Sequence, residues 1–144
     1  MANLDEAILL AVKAHHGQKD KAGEPYILHP LRLMFRQNSE AARIVAMLHD
    51  VVEDTAVTME QLRDAGFSQE ILDAVTLLTH DPQYSYEEYV ARLKTNPLAR
   101  SVKLADLEDN MRMERVAELT EREWARLQRY HRAWRELRAA DKLT

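Results

Sequence analysis

Between Ala41 and Val52 the chain reads AARIVAMLHDVV, apolar nearly all round, and a helix of that character is stable only at the centre of a fold with other helices around it. Ser39 stands where it can cap such a helix. At the far end come His49, Asp50, Glu53 and Asp54, two i,i+4 pairs that place four polar groups on neighbouring stripes of one helix face. Three carboxylates at the negative end of a helix dipole repel one another and cost free energy unless a cation lies among them. The plain alternative is a solvated helix end followed by an acidic turn. Because the residues before the cluster are almost wholly apolar, it emerges from the core, and a divalent ion is the fitting counter-charge.

The rest of the chain agrees with an all-α fold. A β-sandwich needs many turn residues, and 144 residues with three Gly and four Pro do not supply them. A first helix is expected from Leu4 to about His16, stopped by Gly17. The polar stretch GQKDKAGEPY follows as a loop, and then a short helix with Pro30 at its first position runs to about Arg36. Thr58 with Gln61, Ser85 with Glu88 and Thr120 with Glu123 have capping-box spacing. Ser68 opens a helix to about Leu78. Asn96-Pro97 starts one that carries SVKLADLEDNMRM. A C-terminal bracing helix, about 120–140, shows Trp124, Leu127, His131, Trp134 and Arg138 on one face. Residues 1–144 read as a single domain, with the informative motifs in about 4–115.

Net charge is −4, so no positive field exists to hold a nucleic-acid backbone. With no cysteine, any metal must be held by His, Asp or Glu. The first residues lack a basic region followed by a long apolar run, and nowhere do about 18 consecutive apolar residues occur, so the expectation is a cytoplasmic protein that does not span a membrane. An exposed Trp124 or Trp134 face would point to a homodimer.

Adjacent His49-Asp50 offers only two ligands, and further ones are needed. His29 lies at the mouth of a helix after an apolar triplet. Asp106 lies in KLAD, on a polar stripe with Lys103 and Asn110 beside the apolar Leu104, Leu107 and Met111. The order H…HD…D resembles the metal-dependent phosphohydrolases of the HD-domain superfamily. Three longer stretches narrow this: AHHGQKDKAGEPYILHP, MLHDVVEDT and KLADLEDNMR are similar, in order and spacing, to segments of the RelA/SpoT-type hydrolase domain.

That resemblance implies an all-α HD-domain helical bundle binding one Mn²⁺ through His29, His49, Asp50 and Asp106. It implies removal of the 3′-pyrophosphate from guanosine tetra- or pentaphosphate to give GDP or GTP and pyrophosphate. Glu53 and Asp54 would orient or deprotonate the attacking water. Asn110 and Lys21 match family positions that contact the nucleotide. Full-length members append a synthetase domain, so the chain reads as a stand-alone small alarmone hydrolase.

Several positions depart from the family pattern. Asp20 replaces an arginine expected against the guanine. Leu107, Glu108 and Asp109 replace arginine, leucine and histidine, which adds negative charge near the expected pocket, and Met113 stands where many members have threonine. Lys19, Lys21, Lys103 and Arg112 are available to compensate. An intact metal set with altered reading residues leaves two other functions open: hydrolysis of another nucleotide or of the 2′-phosphate of NADPH, and a non-catalytic nucleotide-binding module. His15 reads as a buried, hydrogen-bonded histidine, and His16, His80 and His131 as surface or helix-end residues. Tyr84, Tyr86 and Tyr89 read as packing residues, and Met34, Met47, Met111 and Met113 as core filling.

Overall fold

The computed structural model describes residues 1–142, so positions 143 and 144 of the expected domain lie outside the described residues. Among the described residues the chain is helical, with a single isolated antiparallel bridge between Lys19 and Pro25. The helices are α1 (Leu4–Ala14), α2 (Leu28–Phe35), α3 (Glu40–Leu48), α4 (Val51–Asp54), α5 (Met59–Asp64), α6 (Gln69–Leu78), α7 (Tyr86–Leu93), α8 (Pro97–Asn110) and α9 (Glu121–Asp141), with a 3₁₀ turn at Met113–Arg115. None is long and apolar enough to cross a membrane.

The all-round apolar segment is central, as its composition requires. Helix α3 packs against α1, α2, α6 and α8. Val45, Ala46, Met47 and Leu48 are fully buried, with Leu33 of α2, Val75 of α6 and Leu107 of α8 in the same cluster. Each aliphatic side chain of Leu size buried there contributes about 2 kcal/mol.

Helix starts follow the capping residues. Ser39 Oγ accepts from the Ala42 N–H at 3.1 Å, Ser68 Oγ from Ile71 at 3.4 Å and Asn96 Oδ1 from Ala99 at 3.0 Å. Thr58–Gln61 and Ser85–Glu88 form reciprocal capping boxes. Thr120 caps α9 through the Glu123 N–H, but the Glu123 carboxylate does not reach back; it meets Arg126 at 3.3 Å and Lys21 at 3.7 Å instead. At α1 the cap is Asn3, whose Oδ1 accepts from the Glu6 N–H, a short-range signal the sequence contained.

Four expectations are corrected. The central helix does not run unbroken to Asp54: it stops at Leu48, and α4 begins after a His49–Asp50 turn. The His49 ring N–H occupies the Ala46 carbonyl, the oxygen a continuous helix would offer to Asp50. Helix α2 starts two residues before Pro30, which sits inside the first turn where its missing N–H costs nothing. Helix α8 ends at Asn110, and Met113 is 53% exposed rather than core. On α9 the expected stripe holds only in part: Leu127 and Trp134 are half-buried, as is Tyr130, but the fully buried positions are Ala133 and Leu137, and Trp124, His131 and Arg138 are exposed. Trp124 is exposed, and the His131 ring stacks on Trp134.

Candidate metal centre

The turn that breaks the central helix aims its side chains. With the His49 Nδ1–H donated to the Ala46 carbonyl at 2.7 Å, the ring is fixed and Nε2 faces inward. His49 is 2% exposed, and its Nε2 makes no hydrogen bond although Asp50 Oδ2 lies 2.9 Å away. A buried imidazole nitrogen beside a carboxylate oxygen, without bonding geometry between them, is the disposition of two ligands directed at a common ion.

The other groups converge from α2 and α8. Ligand atoms of His29, His49 and Asp50 lie within 4.8 Å of one another. Asp106 Oδ1 is 2.9 Å from His29 Nε2 and 3.7 Å from His49 Nε2. The His29 Nδ1–H donates to Asp109 Oδ2 at 2.6 Å, leaving Nε2 for the centre. A second group, Asp50, Glu53 and Asp54, also brings its oxygens within 4.8 Å of one another. Two imidazoles with carboxylates form a mixed N/O set suited to a divalent ion of intermediate or hard character, and the unpartnered His49 Nε2 is what such an ion would satisfy.

Charge in the site points the same way. Burial disfavours protonation of His29 and His49, yet the carboxylates around them outweigh it and hold both imidazoles above the usual histidine range. Burial likewise opposes ionisation of Asp106, but the Lys103 ammonium and the two imidazoles hold it well below the usual carboxylate range. In these surroundings protons on the imidazoles supply positive charge that a metal would otherwise supply. Asp54 differs: burial first, then the charges of Asp50 and Glu53, push its carboxyl up to about 6.

Around the centre is a cleft of about 190 Å³ lined by Tyr26, His29, His49, Asp50, Glu53, Asp54, Leu78, Tyr89, Lys103, Asp106, Asn110 and Tyr130. Asn110 and Tyr130 also wall a smaller hollow of about 60 Å³, lined further by Lys21, Arg115, Val116, Glu123, Arg126 and Leu127. Asn110 joins the two, donating to Asp106 Oδ1 at 3.1 Å and accepting from Arg115 at 2.8 Å. His29, His49, Asp50, Asp106, Glu53 and Asp54 thus share one cleft, with Lys21 and Asn110 at its extension. Arg112 lines neither hollow; its guanidinium reaches Glu114 at 2.8 Å and Asp109 at 3.3 Å.

The residues that depart from the family pattern do not put negative charge into the cleft. Leu107 is fully buried in the core, and Glu108 pairs outward with Arg36 at 3.4 Å. Asp109 is turned inward beneath His29, where Arg32 meets it with two bonds of 2.8 and 3.0 Å, and these partners hold its carboxyl below the usual range against the effect of burial. Asp20 organises its own loop, its Oδ1 accepting from the Ala22 and Glu24 N–H groups, while its Oδ2 lies 3.9 Å from Arg115 at the edge of the smaller hollow. His15 is buried, with Nδ1 2.8 Å from Gln18 Oε1.

Two contributors to the centre are not marked in the sequence: the Tyr26 hydroxyl donates to Asp50 Oδ2, and the His80 backbone N–H donates to Glu53 Oε1 at 2.8 Å. Lys103, expected on one polar stripe with Asp106, has its Nζ 2.9 Å from Asp106 Oδ2.

No family model matches the chain. It is 35% identical over 126 residues to a GTP pyrophosphokinase of Myxococcus xanthus, covering 76% of this chain and 17% of that protein. It is 37% identical over 119 residues to a guanosine-3′,5′-bis(diphosphate) 3′-pyrophosphohydrolase of Haemophilus influenzae, covering 72% and 17%. The chain therefore spans about a sixth of the length of these curated relatives. Among solved structures, a metazoan ortholog of SpoT, described as hydrolysing ppGpp, superposes with a TM-score of 0.78 over 95% of this chain and 85% of that one, at 23% identity, so the all-helical fold is shared.

Proposed function

We propose that this chain, a relative of the RelA/SpoT-type proteins across about three quarters of its length, is a Mn²⁺-dependent phosphohydrolase that removes the 3′-pyrophosphate of guanosine 3′,5′-bis(diphosphate) or its pentaphosphate. GDP or GTP and pyrophosphate are the products. The observation that carries this reading is the buried His49 Nε2, unpartnered and facing His29, Asp50 and Asp106, with Glu53 and Asp54 in the same cleft. Two activities are named among the relatives, and hydrolysis is the one this segment suits: carboxylates stand beside a metal-ligating cluster, where the attacking group is water.

His29, His49, Asp50 and Asp106 would hold the ion. When bound there, a divalent ion polarises a phosphoryl oxygen and makes water a better nucleophile near neutral pH. Lys103 keeps Asp106 anionic, and Asp109 holds His29 in the tautomer whose Nε2 faces inward. Tyr26 bonds Asp50 and restricts its rotation. Asp54, with a carboxyl near 6, is matched to taking a proton from water at neutral pH, while Glu53, fixed by the His80 N–H, orients that water. Around the adjoining hollow three cations, Lys21, Arg115 and Arg126, outnumber the carboxylates they face, Glu123 and Asp20, and the surplus positive charge suits a second phosphate group, with Asn110 between the two subsites. A soluble nucleotide substrate in the cytoplasm is the setting this chemistry implies.

Pyrophosphate release from guanosine 3′,5′-bis(diphosphate), run beside NADPH and nucleoside phosphates, tests the reading. Metal-dependent turnover of the first that is lost in His49→Ala and Glu53→Ala supports it. Cleavage of another panel member in its place would reassign the substrate, and metal binding with no turnover at all would make the chain a binding module.

A further inference from the structure

Glu53 is an exposed residue on a four-residue helix, and its long side chain would lose considerable rotamer freedom if held in one orientation. A bond from another element holds it: Oε1 accepts from the backbone N–H of His80 at 2.8 Å. That N–H is available because the chain leaves α6 at Thr79, whose ψ of 113° turns it out of the helix.

The His80 side chain fixes this turn at two points. Its Nε2–H donates to the Tyr84 carbonyl at 2.9 Å, closing the loop across Asp81–Gln83. Its ring lies 4.7 Å from the ring of Tyr89, tilted by 32°. Tyr89 is itself anchored, 6% exposed with its hydroxyl donating to the Leu78 carbonyl at 2.8 Å, and it lines the metal cleft. His80 does not line that cleft. Its imidazole therefore sits between a rigid cleft wall and an otherwise exposed polar loop, on the same residue whose N–H meets Glu53.

We propose that His80 is a positioning residue for Glu53: its imidazole, clamped between the Tyr84 carbonyl and the Tyr89 ring, fixes the amide that aims the Glu53 carboxylate into the cleft. The catalytic consequence rests on the reading of Glu53 given above, whereas the positioning itself does not. Removing the ring frees the turn to move, and Glu53 loses a fixed partner without any change to the metal ligands.

Amide hydrogen exchange at residue 80, followed by NMR at fixed pH, decides the positioning without reference to activity. In the wild-type protein this amide is protected by its bond to Glu53, and the protection is lost in Glu53→Ala. His80→Ala keeps the amide but is expected to lose protection at least about tenfold. His80→Gln, which retains a donor for the Tyr84 carbonyl, keeps most of it. Undiminished protection in His80→Ala overturns the proposal.

In steady-state kinetics His80→Ala is expected to lower kcat about tenfold, below the 10²–10⁴ of a lost general base, with KM and Mn²⁺ affinity unchanged. In a Glu53→Gln background the same substitution should cost nothing further, and an equal fall there overturns the proposal. A wild-type protein that releases no pyrophosphate would defeat the functional reading and leave amide exchange to decide the positioning alone.

Discussion

The Nδ1–H of His49 donates to the carbonyl oxygen of Ala46 at 2.7 Å, and this bond both ends the central helix and frees Nε2 for the cleft. The carboxylates facing that ring hold its pKa above the ordinary value of 6.5. A raised histidine pKa contributes stability that is fully present below 6.5 and is lost as pH rises through the folded value. The metal-free protein should therefore lose stability as pH rises from neutrality. A bound divalent ion displaces those protons and takes over their role, so the gain in Tm on adding Mn²⁺ should grow between about pH 6 and 8. Thermal melts at several pH values, with and without metal, check this; a gain that stays flat or shrinks with pH is inconsistent with these residues as ligands.

Ligands and water-handling residues should separate by experiment. His49→Ala and Asp106→Asn are expected to abolish both the Mn²⁺-induced rise in Tm and turnover. Glu53→Gln and Asp54→Asn should still bind Mn²⁺, weakened by no more than about tenfold through loss of a neighbouring negative charge, while kcat falls roughly 10²–10⁴-fold. Calorimetric metal titration beside steady-state kinetics makes the distinction.

Asp109 is expected to act on stability and on metal affinity together. It is 2% exposed and neutralises Arg32 while fixing the His29 ring. Asp109→Ala leaves both partners unsatisfied and should cost roughly 3 kcal/mol in urea unfolding, the scale of a broken buried pair. Mn²⁺ affinity should fall roughly 10–100-fold, the usual scale for a lost partner of a ligating histidine.

Basic residues at the adjoining hollow should not be equivalent. Lys21→Ala and Arg115→Ala are expected to raise KM about tenfold, each removing a charge-assisted contact, with little change in kcat. Arg112→Ala, whose side chain turns to Glu114 and Asp109, should leave KM within about twofold of wild type. Equal effects at all three positions would show that net charge rather than placement governs substrate binding.

Much of this architecture could be read locally. Ser39, Thr58, Ser68, Ser85 and Asn96 mark helix starts because a cap is decided within four residues. The break at His49 was not visible: His49–Glu53 and Asp50–Asp54 have the spacing of an unbroken helix, and only the ring's bond to Ala46 ends it. Thr120–Glu123 has the form of a capping box, but Lys21 and Arg126 compete for the Glu123 carboxylate from outside the local segment. Along α9 the expected stripe was right at Leu127 and Trp134, which are half-buried, and wrong at Trp124, because the fully buried Ala133 and Leu137 are what fits against the preceding helices. The charges of Asp20 and Asp109 carried the same limitation. Their sign was legible, but the Asp20 side chain turns into its own loop, and Asp109 turns beneath His29, where Arg32 three residues along α2 meets it.

We propose that one cleft joins a divalent metal to a pair of water-handling carboxylates for hydrolysis of a bis-diphosphorylated guanosine. The most direct test is release of pyrophosphate from guanosine 3′,5′-bis(diphosphate) by the purified protein with Mn²⁺, with a chelator, and in the Glu53→Gln variant. Turnover is expected with Mn²⁺, abolished by the chelator and lowered at least about 10²-fold in Glu53→Gln. Turnover that persists in chelator, or that is unaffected by Glu53→Gln, would contradict it.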